Sequence, residues 1–312
     1  MQTQIGGWIS GNLQLGRTPA RIILNEVTGP QASQLRGTIE VGGQKADIVI
    51  ANPNGITCSG CGFLNADRAT LTTGTPQIGA NGTVTGFDVR QGVIQIGPEG
   101  LNATEQQQLD LHARGLVIEG EVYSQNLQAV IGANQVVYGT LHALVQATAQ
   151  DGTGEAPRLA VDIKALGGMY AGQIYLIATD KGLGVNSTGR AATLSGNLVL
   201  SANGDLTLKD TYATGDVRLA SAGKTTLTGQ TVADGAVTIN AGDQLTHSGA
   251  LQAPTLQLNA PALHNSGSIT QTKAGANLGL TLPGGLNNSG QIYTPGNLTV
   301  QALSTTQIVN IA

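Results

Sequence analysis

Two cysteines, Cys58 and Cys61, and four histidines, His112, His142, His247 and His264, are the side chains best suited to redox or metal chemistry. Both cysteines fall in ANPNGITCSGCGFLNADRATLTTG, residues 51–74. Three chemistries compete for their spacing. A zinc site takes about four ligands, and no second cysteine pair exists to complete one. A thioredoxin-like pair needs a helix start behind it, whereas Phe63-Leu64-Asn65 leads into more strand. A structural disulfide needs only an oxidising compartment. The histidines are dispersed, so no metal and no cofactor is expected.

Catalytic constellations are equally sparse. Paired carboxylates with a cationic partner would indicate polysaccharide cleavage, and no Asp-Asp pair or Arg-x-Lys occurs. No Gly-x-Ser-x-Gly elbow is present. Gly223-Lys224-Thr225 looks like the end of a phosphate loop, but Arg218 stands where that motif requires glycine. Gly182-Leu183-Gly184 runs on to Ser187 and fails as a dinucleotide fingerprint. The expectation is a non-enzymatic chain without a catalytic residue or small-molecule substrate, a polysaccharide-active β-helix enzyme being the alternative.

What must carry any site is visible in the composition. Charged residues are 11% and aromatics 3%, while glycine contributes 45 of 312 residues, about twice ordinary usage. Hydrophobic residues still reach 40%, too many for a disordered chain. The formal net charge is −4, with Lys and Arg scattered singly, which argues against nucleic acid as a partner. No apolar run approaches a membrane-spanning helix. The opening MQTQIGGWISGN lacks the basic end and apolar centre of a signal peptide, leaving a cytosolic chain or a fragment.

Repeats organise the last third. Leu245-Thr246-His247-Ser248-Gly249-Ala250-Leu251, Leu263-His264-Asn265-Ser266-Gly267-Ser268-Ile269 and Leu286-Asn287-Asn288-Ser289-Gly290-Gln291-Ile292 share one pattern. His247 takes the place of Asn265 and Asn288, so it reads as a polar turn residue. Around these lie short strands with apolar residues two apart: Leu198/Leu200, Leu206/Leu208, Val217/Leu219, Val237/Ile239, Leu256/Leu258, Leu278/Leu280 and Leu298/Val300. Strands of three or four residues at a near-constant period of about 20 suit an all-β parallel β-helix, in which like side chains stack into ladders. Its narrow interior favours Leu, Val, Ile and Ala over aromatics. The first 185 residues use similar strands, such as Thr38–Val41 and Asp47–Ile50, with longer irregular insertions. Residues 98–108 read as a loop or one short surface helix, and residues 150–157 as a flexible loop.

Taken in order, several motifs form a specific set. Asn52-Pro53-Asn54-Gly55-Ile56 and then CGFLNADRATLTTG, with Ile5–Ile9, Ala20–Val27, Gly132–Val136 and Ala165–Gly172, resemble the secretion domain of two-partner secretion exoproteins. These are the filamentous haemagglutinins, haemolysins and contact-dependent inhibition effectors of Gram-negative bacteria. The Leu-x-Asn-Ser-Gly-x-Ile pattern looks like their haemagglutinin repeats.

The resemblance implies a right-handed parallel β-helix, with residues 1–186 as the secretion domain and 187–312 as repeats. It implies passage through the periplasm, recognition by the periplasmic domains of an outer-membrane β-barrel transporter, and a secreted or surface location. Adhesion or contact-dependent toxin delivery would then bring host or neighbouring bacterial cells as further partners. The family's domain starts several dozen residues earlier, behind a signal peptide, so this chain is expected to be its carboxyl part. An upstream Asn-Pro-Asn-Leu motif appears here as Asn12-Leu13-Gln14-Leu15, without its proline. Export supplies an oxidising compartment, so the expectation for Cys58 and Cys61 becomes a disulfide that pins the turn. Closing so short a loop, it should stabilise by less than the usual ~2–4 kcal/mol. Asn52-Pro53-Asn54-Gly55 fits a type I turn after the apolar strand Ile48–Ile50. By its own residues it is a β-helix corner needed for folding; by resemblance it is part of the transporter's recognition surface.

Overall fold

The computed structural model describes residues 2–11 and 18–302. Asn12, Leu13, Gln14 and Leu15 lie outside the described residues. Strands and tight turns are the regular structure, with no α-helix among the described residues, and the chain divides into two compact units, Met1–Ala160 and Val161–Ala312. Each unit is a parallel β-solenoid.

In the first unit one sheet face stacks five strands: Ile22–Glu26, Asp47–Ala51, Arg68–Thr72, Gln108–Ala113 and the end of Glu121–Ile131. Side chains two apart share a side, so Ile48, Ala69, Leu109 and Leu127 form one inward ladder, and Ile50, Leu71, Leu111 and Ala129 the next. All eight are buried. Each fully buried Leu or Ile contributes about 1.5–3 kcal/mol, and stacking repeats that gain from coil to coil. A second face pairs Ser33–Glu40 with Ile56–Leu64, and that strand with Val93–Ile96 and Leu101–Ala103.

Four strands stand apart from this winding. Gln146–Ala149, Asn134–Val137, Val84–Val89 and Thr75–Ile78 make an antiparallel sheet in that order. It covers the outward side of the first face, where Phe87, Val89 and Val136 are buried. The sequence reading places only irregular insertions here. Residues 98–108 also differ from the expected loop or helix: Leu101–Ala103 is a strand paired with Cys61 and Gly62. The Asn102 Oδ1 then accepts the Thr104 N–H at 3.1 Å to close an Asx turn.

The second unit is regular. Leu198/Leu200, Val217/Leu219, Val237/Ile239 and Leu256/Leu258 stack in register, then Leu278/Leu280 on Leu298/Val300. The repeat segments stack as the sequence anticipates, Leu245 on Leu263 on Leu286. Their shared glycine has a steric cause: a Cβ on Gly267 would overlap the Gly249 carbonyl, and one on Gly290 the Gly267 carbonyl. His247 is more than a turn residue. It is buried, its Nδ1 lies 2.7 Å from Asn265 Oδ1, and Asn265 Nδ2 donates to Asn288 Oδ1 at 2.6 Å. The interior thus carries one polar ladder between the leucine columns. Burial lowers the His247 pKa, which favours the neutral ring.

Candidate functional site: the Asn52 corner and its covered face

Asn52 ends the first-face strand Asp47–Ala51 and begins the corner to the second face. The Gly55 N–H donates to Asn52 O at 3.0 Å and the Asn54 N–H to Asn52 Oδ1 at 2.9 Å, so the asparagine side chain fixes the turn that Pro53 presets. Gly55 has φ of 111°, a conformation that side-chain-bearing residues avoid. Asn52 also reaches the coils on either side. Its N–H donates to Thr72 O at 2.9 Å, and its Nδ2 donates to Gln31 O and Ser33 Oγ, both at 2.9 Å. One fully buried residue therefore ties three successive coils, its side chain holding its own coil and the one before and its backbone N–H the one after. Asn54 is the exposed member of the corner, yet its Nδ2 donates to Gly29 O at 2.8 Å. Ile56 points into the core.

Three residues on, Cys58 and Cys61 are joined by a disulfide, with Cα atoms 5.5 Å apart. Their strand bulges between them: Leu35 pairs with Cys58 and Gly37 with Cys61, so Ser59 and Gly60 oppose the single residue Arg36. In the next coil Ile96 pairs with Cys58 and Leu101 with Cys61, leaving four residues opposite the same two. The disulfide thus holds the bulge at which this edge widens from coil to coil. Gly60 and Gly100, with φ of 67° and 73°, make the turns there, and the Gly60 N–H donates to Gly100 O at 2.9 Å.

The covered side of the first face is polar. Arg68 Nε donates to Asp110 Oδ2, and Thr70 Oγ1 donates to the same oxygen at 3.1 Å. Gln108 Nε2 donates to Asp110 Oδ1 at 2.8 Å, so the buried carboxylate is held on both oxygens. The antiparallel sheet closes over this pair. The Arg68 guanidinium lies 3.9 Å from the centre of the Tyr138 ring, and its Nη1 donates to Gly139 O at 2.8 Å. Gln128 accepts from the Val145 N–H at 2.7 Å and donates to Ala143 O at 2.9 Å.

Three titratable groups here depart from ordinary values, and for one of them, the Tyr138 hydroxyl, burial raises the pKa well above the usual range. Burial holds the Asp47 carboxyl above the usual range, opposed by Arg68 and by the Tyr138 hydroxyl, which donates at 3.3 Å. Burial pushes His112 down to about 4, and neither of its ring nitrogens has a hydrogen-bond partner among the described residues. His112 packs against Phe87, ring centres 5.8 Å apart, as a neutral and largely apolar plate.

The sequence reading marks the corner and the cysteines, and the structure sets both along one turn of chain. It overlooks Arg68, Asp110, His112 and Tyr138 as a group. Among the described residues no cluster of three or more His, Cys, Asp or Glu side chains could hold a metal ion. The carboxylate that burial makes most notable, Asp110, is neutralised and fully bonded. The geometry suits fixing a backbone shape.

Known proteins place this architecture. Residues 5–208 match the family model described as the TPS secretion domain. The solved filamentous hemagglutinin secretion domain superposes with a TM-score of 0.64 at 32% identity, over 83% of this chain and 80% of that one. A tRNA nuclease CdiA of Yersinia mollaretii is 37% identical over 95% of this chain, which is 10% of that protein. A 16S rRNA endonuclease CdiA of Enterobacter cloacae is 40% identical over 86% of this chain and 8% of its own length. The chain thus spans a tenth or less of these relatives. Fold, family model and relatives agree: the chain belongs to the two-partner secretion family, with residues 5–208 as its TPS secretion domain.

Proposed function

We propose that this chain is the non-enzymatic secretion and folding module of a large exoprotein, secreted or displayed at the surface of a Gram-negative bacterium. The periplasmic domains of an outer-membrane β-barrel transporter recognise it, and it templates the coils that follow. In this reading the secretion part is residues 1–186, ending short of the family match to residue 208, and 187–312 are the first haemagglutinin-type repeats. Asn52, Pro53, Asn54, Gly55 and Ile56, together with Asn12, Leu13, Gln14 and Leu15, form the recognition or folding motif. The whole protein serves adhesion or contact-dependent toxin delivery; nuclease action belongs by name to the relatives, of which this chain matches a small part.

One observation carries the folding half: Asn52 bonds its own coil and both neighbours. A corner wired in this way makes each coil the template for the next. Capture of the chain by the transporter's immobilised periplasmic domains tests the recognition half. Asn54→Ala that folds normally but is no longer captured assigns recognition to the corner surface. Asn52→Ala that loses stability and capture together assigns the corner to folding. If neither this chain nor one extended upstream is captured, transporter recognition is wrong.

A further inference from the structure

The disulfide lies deeper than its short span suggests. Cys58 and Cys61 are 0% and 2% exposed, so neither sulfur presents a face to solvent. The preceding coil supplies Leu35 and Gly37 as their strand partners, and the following coil Ile96 and Leu101. The corner between those last two closes over the pair. The Gly97 N–H donates to Cys58 O at 2.8 Å, the Glu99 N–H to Ser59 Oγ at 3.3 Å, and the Gly60 N–H to Gly100 O at 2.9 Å. Cys58 Sγ stands 3.7 Å from that same Gly100 O, 42 residues later in the chain. What brings the two cysteines together is nonetheless local. The end Cα atoms of Cys58-Ser59-Gly60-Cys61 are 5.5 Å apart, inside the ~7 Å span of a β-turn. Gly60, at the third place, takes the positive φ of 67° that glycine adopts freely. These four residues can therefore reach bonding distance without help from either neighbouring coil.

We infer that the bond is made on the unwound chain, before residues 96–101 are laid over it, and that this extended segment is the substrate of a disulfide-bearing oxidant. One cysteine thiolate attacks the oxidant's disulfide, so a mixed disulfide forms and one oxidant sulfur leaves as a thiolate. The other cysteine thiolate then attacks the cysteine sulfur of the mixed bond, which closes Cys58–Cys61 and releases the second oxidant sulfur. The two cysteines give up two electrons and two protons, and the oxidant's two sulfurs take them to become thiols. The mixed intermediate places a foreign group on one sulfur, and the wound coil leaves no room for it at either position. Thiol–disulfide exchange therefore comes first, and winding of the next coil seals its product. Closure barely shortens the segment: three residue steps of about 3.4 Å contract to 5.5 Å, so an oxidised chain can still be drawn out as one strand. This order holds whether or not the transporter recognises the chain.

Oxidised glutathione, added to the whole chain after reduction, tests the order. One sample is kept in denaturant and the other is refolded as the dithiol, with maleimide trapping to follow bond formation. A peptide of residues 56–63, run with and without denaturant, corrects for the effect of the solvent on the exchange itself. The unfolded dithiol should oxidise about 100-fold faster than the wound one, or more. A dithiol chain that winds only after oxidation supports the same order. The native disulfide should resist a phosphine reductant by a similar factor, about 100-fold, relative to the unfolded chain. A purified thioredoxin-fold oxidase in its disulfide form replaces glutathione in a further arm. Faster oxidation of the unfolded chain by that protein identifies an enzyme as the source, and equal rates a small-molecule disulfide. Oxidation of the wound dithiol within about threefold of the unfolded rate, or equally ready reduction of the native and unfolded disulfide, overturns the inference.

Discussion

Arg68 and Asp110 stand 42 residues apart in sequence and form an ion pair with 3% and 0% of their side-chain surface exposed. A buried pair of this kind costs desolvation on both partners, and its net contribution is small while both are present. Its loss is another matter.

Asp110→Ala leaves the Arg68 guanidinium buried and unneutralised, and should destabilise the fold by about 3–5 kcal/mol in chemical denaturation. The double variant Arg68→Met with Asp110→Leu should recover most of that loss. Equal destabilisation by single and double variants would mean that the pair contributes specific stability in its own right.

Asn52→Ala removes two side-chain donor bonds and the acceptor of the Asn54 N–H, each worth roughly 0.5–1.5 kcal/mol, so a loss of about 2–4 kcal/mol is expected. Asn54→Ala, at an exposed position, should cost under about 1 kcal/mol. Similar losses from the two would contradict the tie that the Asn52 side chain makes to the preceding coil and its own turn.

Stability should fall on acidification. His112 is buried as the neutral ring, with its pKa lowered from 6.5 to about 4. The unfolded chain takes up this proton as pH drops through 6.5, whereas the folded chain resists until about 4. Between those values the histidine removes up to about 3 kcal/mol. Asp47, held above its ordinary range, opposes this at lower pH by taking up its proton more readily in the fold. His112→Phe should flatten the slope between pH 6.5 and 4, and an unchanged slope would place the titrating group elsewhere.

Gly267→Ala puts a Cβ onto the Gly249 carbonyl, so the corner must shift, at a cost of roughly 1–3 kcal/mol. Ser266→Ala next to it should be nearly silent. Thermal denaturation of the two variants separates the steric demand of the corner from its polarity.

Reduction should be mild. The Cys58–Cys61 disulfide has a sequence separation of 3, a loop for which chain entropy gives about 2 kcal/mol. A paired Cys58→Ser, Cys61→Ser variant that loses much more would show that the bulge is held by the bond alone.

The solenoid is legible in the sequence because each coil repeats the same request: Leu, Val or Ile two apart, then a corner that tolerates only glycine. The leucines of the repeats and their Ser-Gly corners fall where that logic puts them. The covered face is not legible for the same reason. In Gln108-Leu109-Asp110-Leu111-His112-Ala113 the alternation gives Leu109 and Leu111 to the core and assigns Asp110 and His112 to solvent, yet all six are buried. Two of the four strands of the sheet that hides them read TPQI and VTGFDV, where Pro76 and Gly86 look like turn formers. Gly86 is in fact required by a close approach, since a Cβ there would overlap the Val136 carbonyl. No local pattern announces that a distant segment will roof a polar strand.

That roof makes tolerance to mutation uneven along the protein. Where Phe87, Tyr138 and their neighbours cover the strands, both sides of the backbone are constrained, so drift there should be slow. On the bare outer columns of the later coils, such as Thr226, Thr246 and His264, a change of residue disturbs little, and variants can accumulate or be recruited to new contacts without loss of the winding beneath.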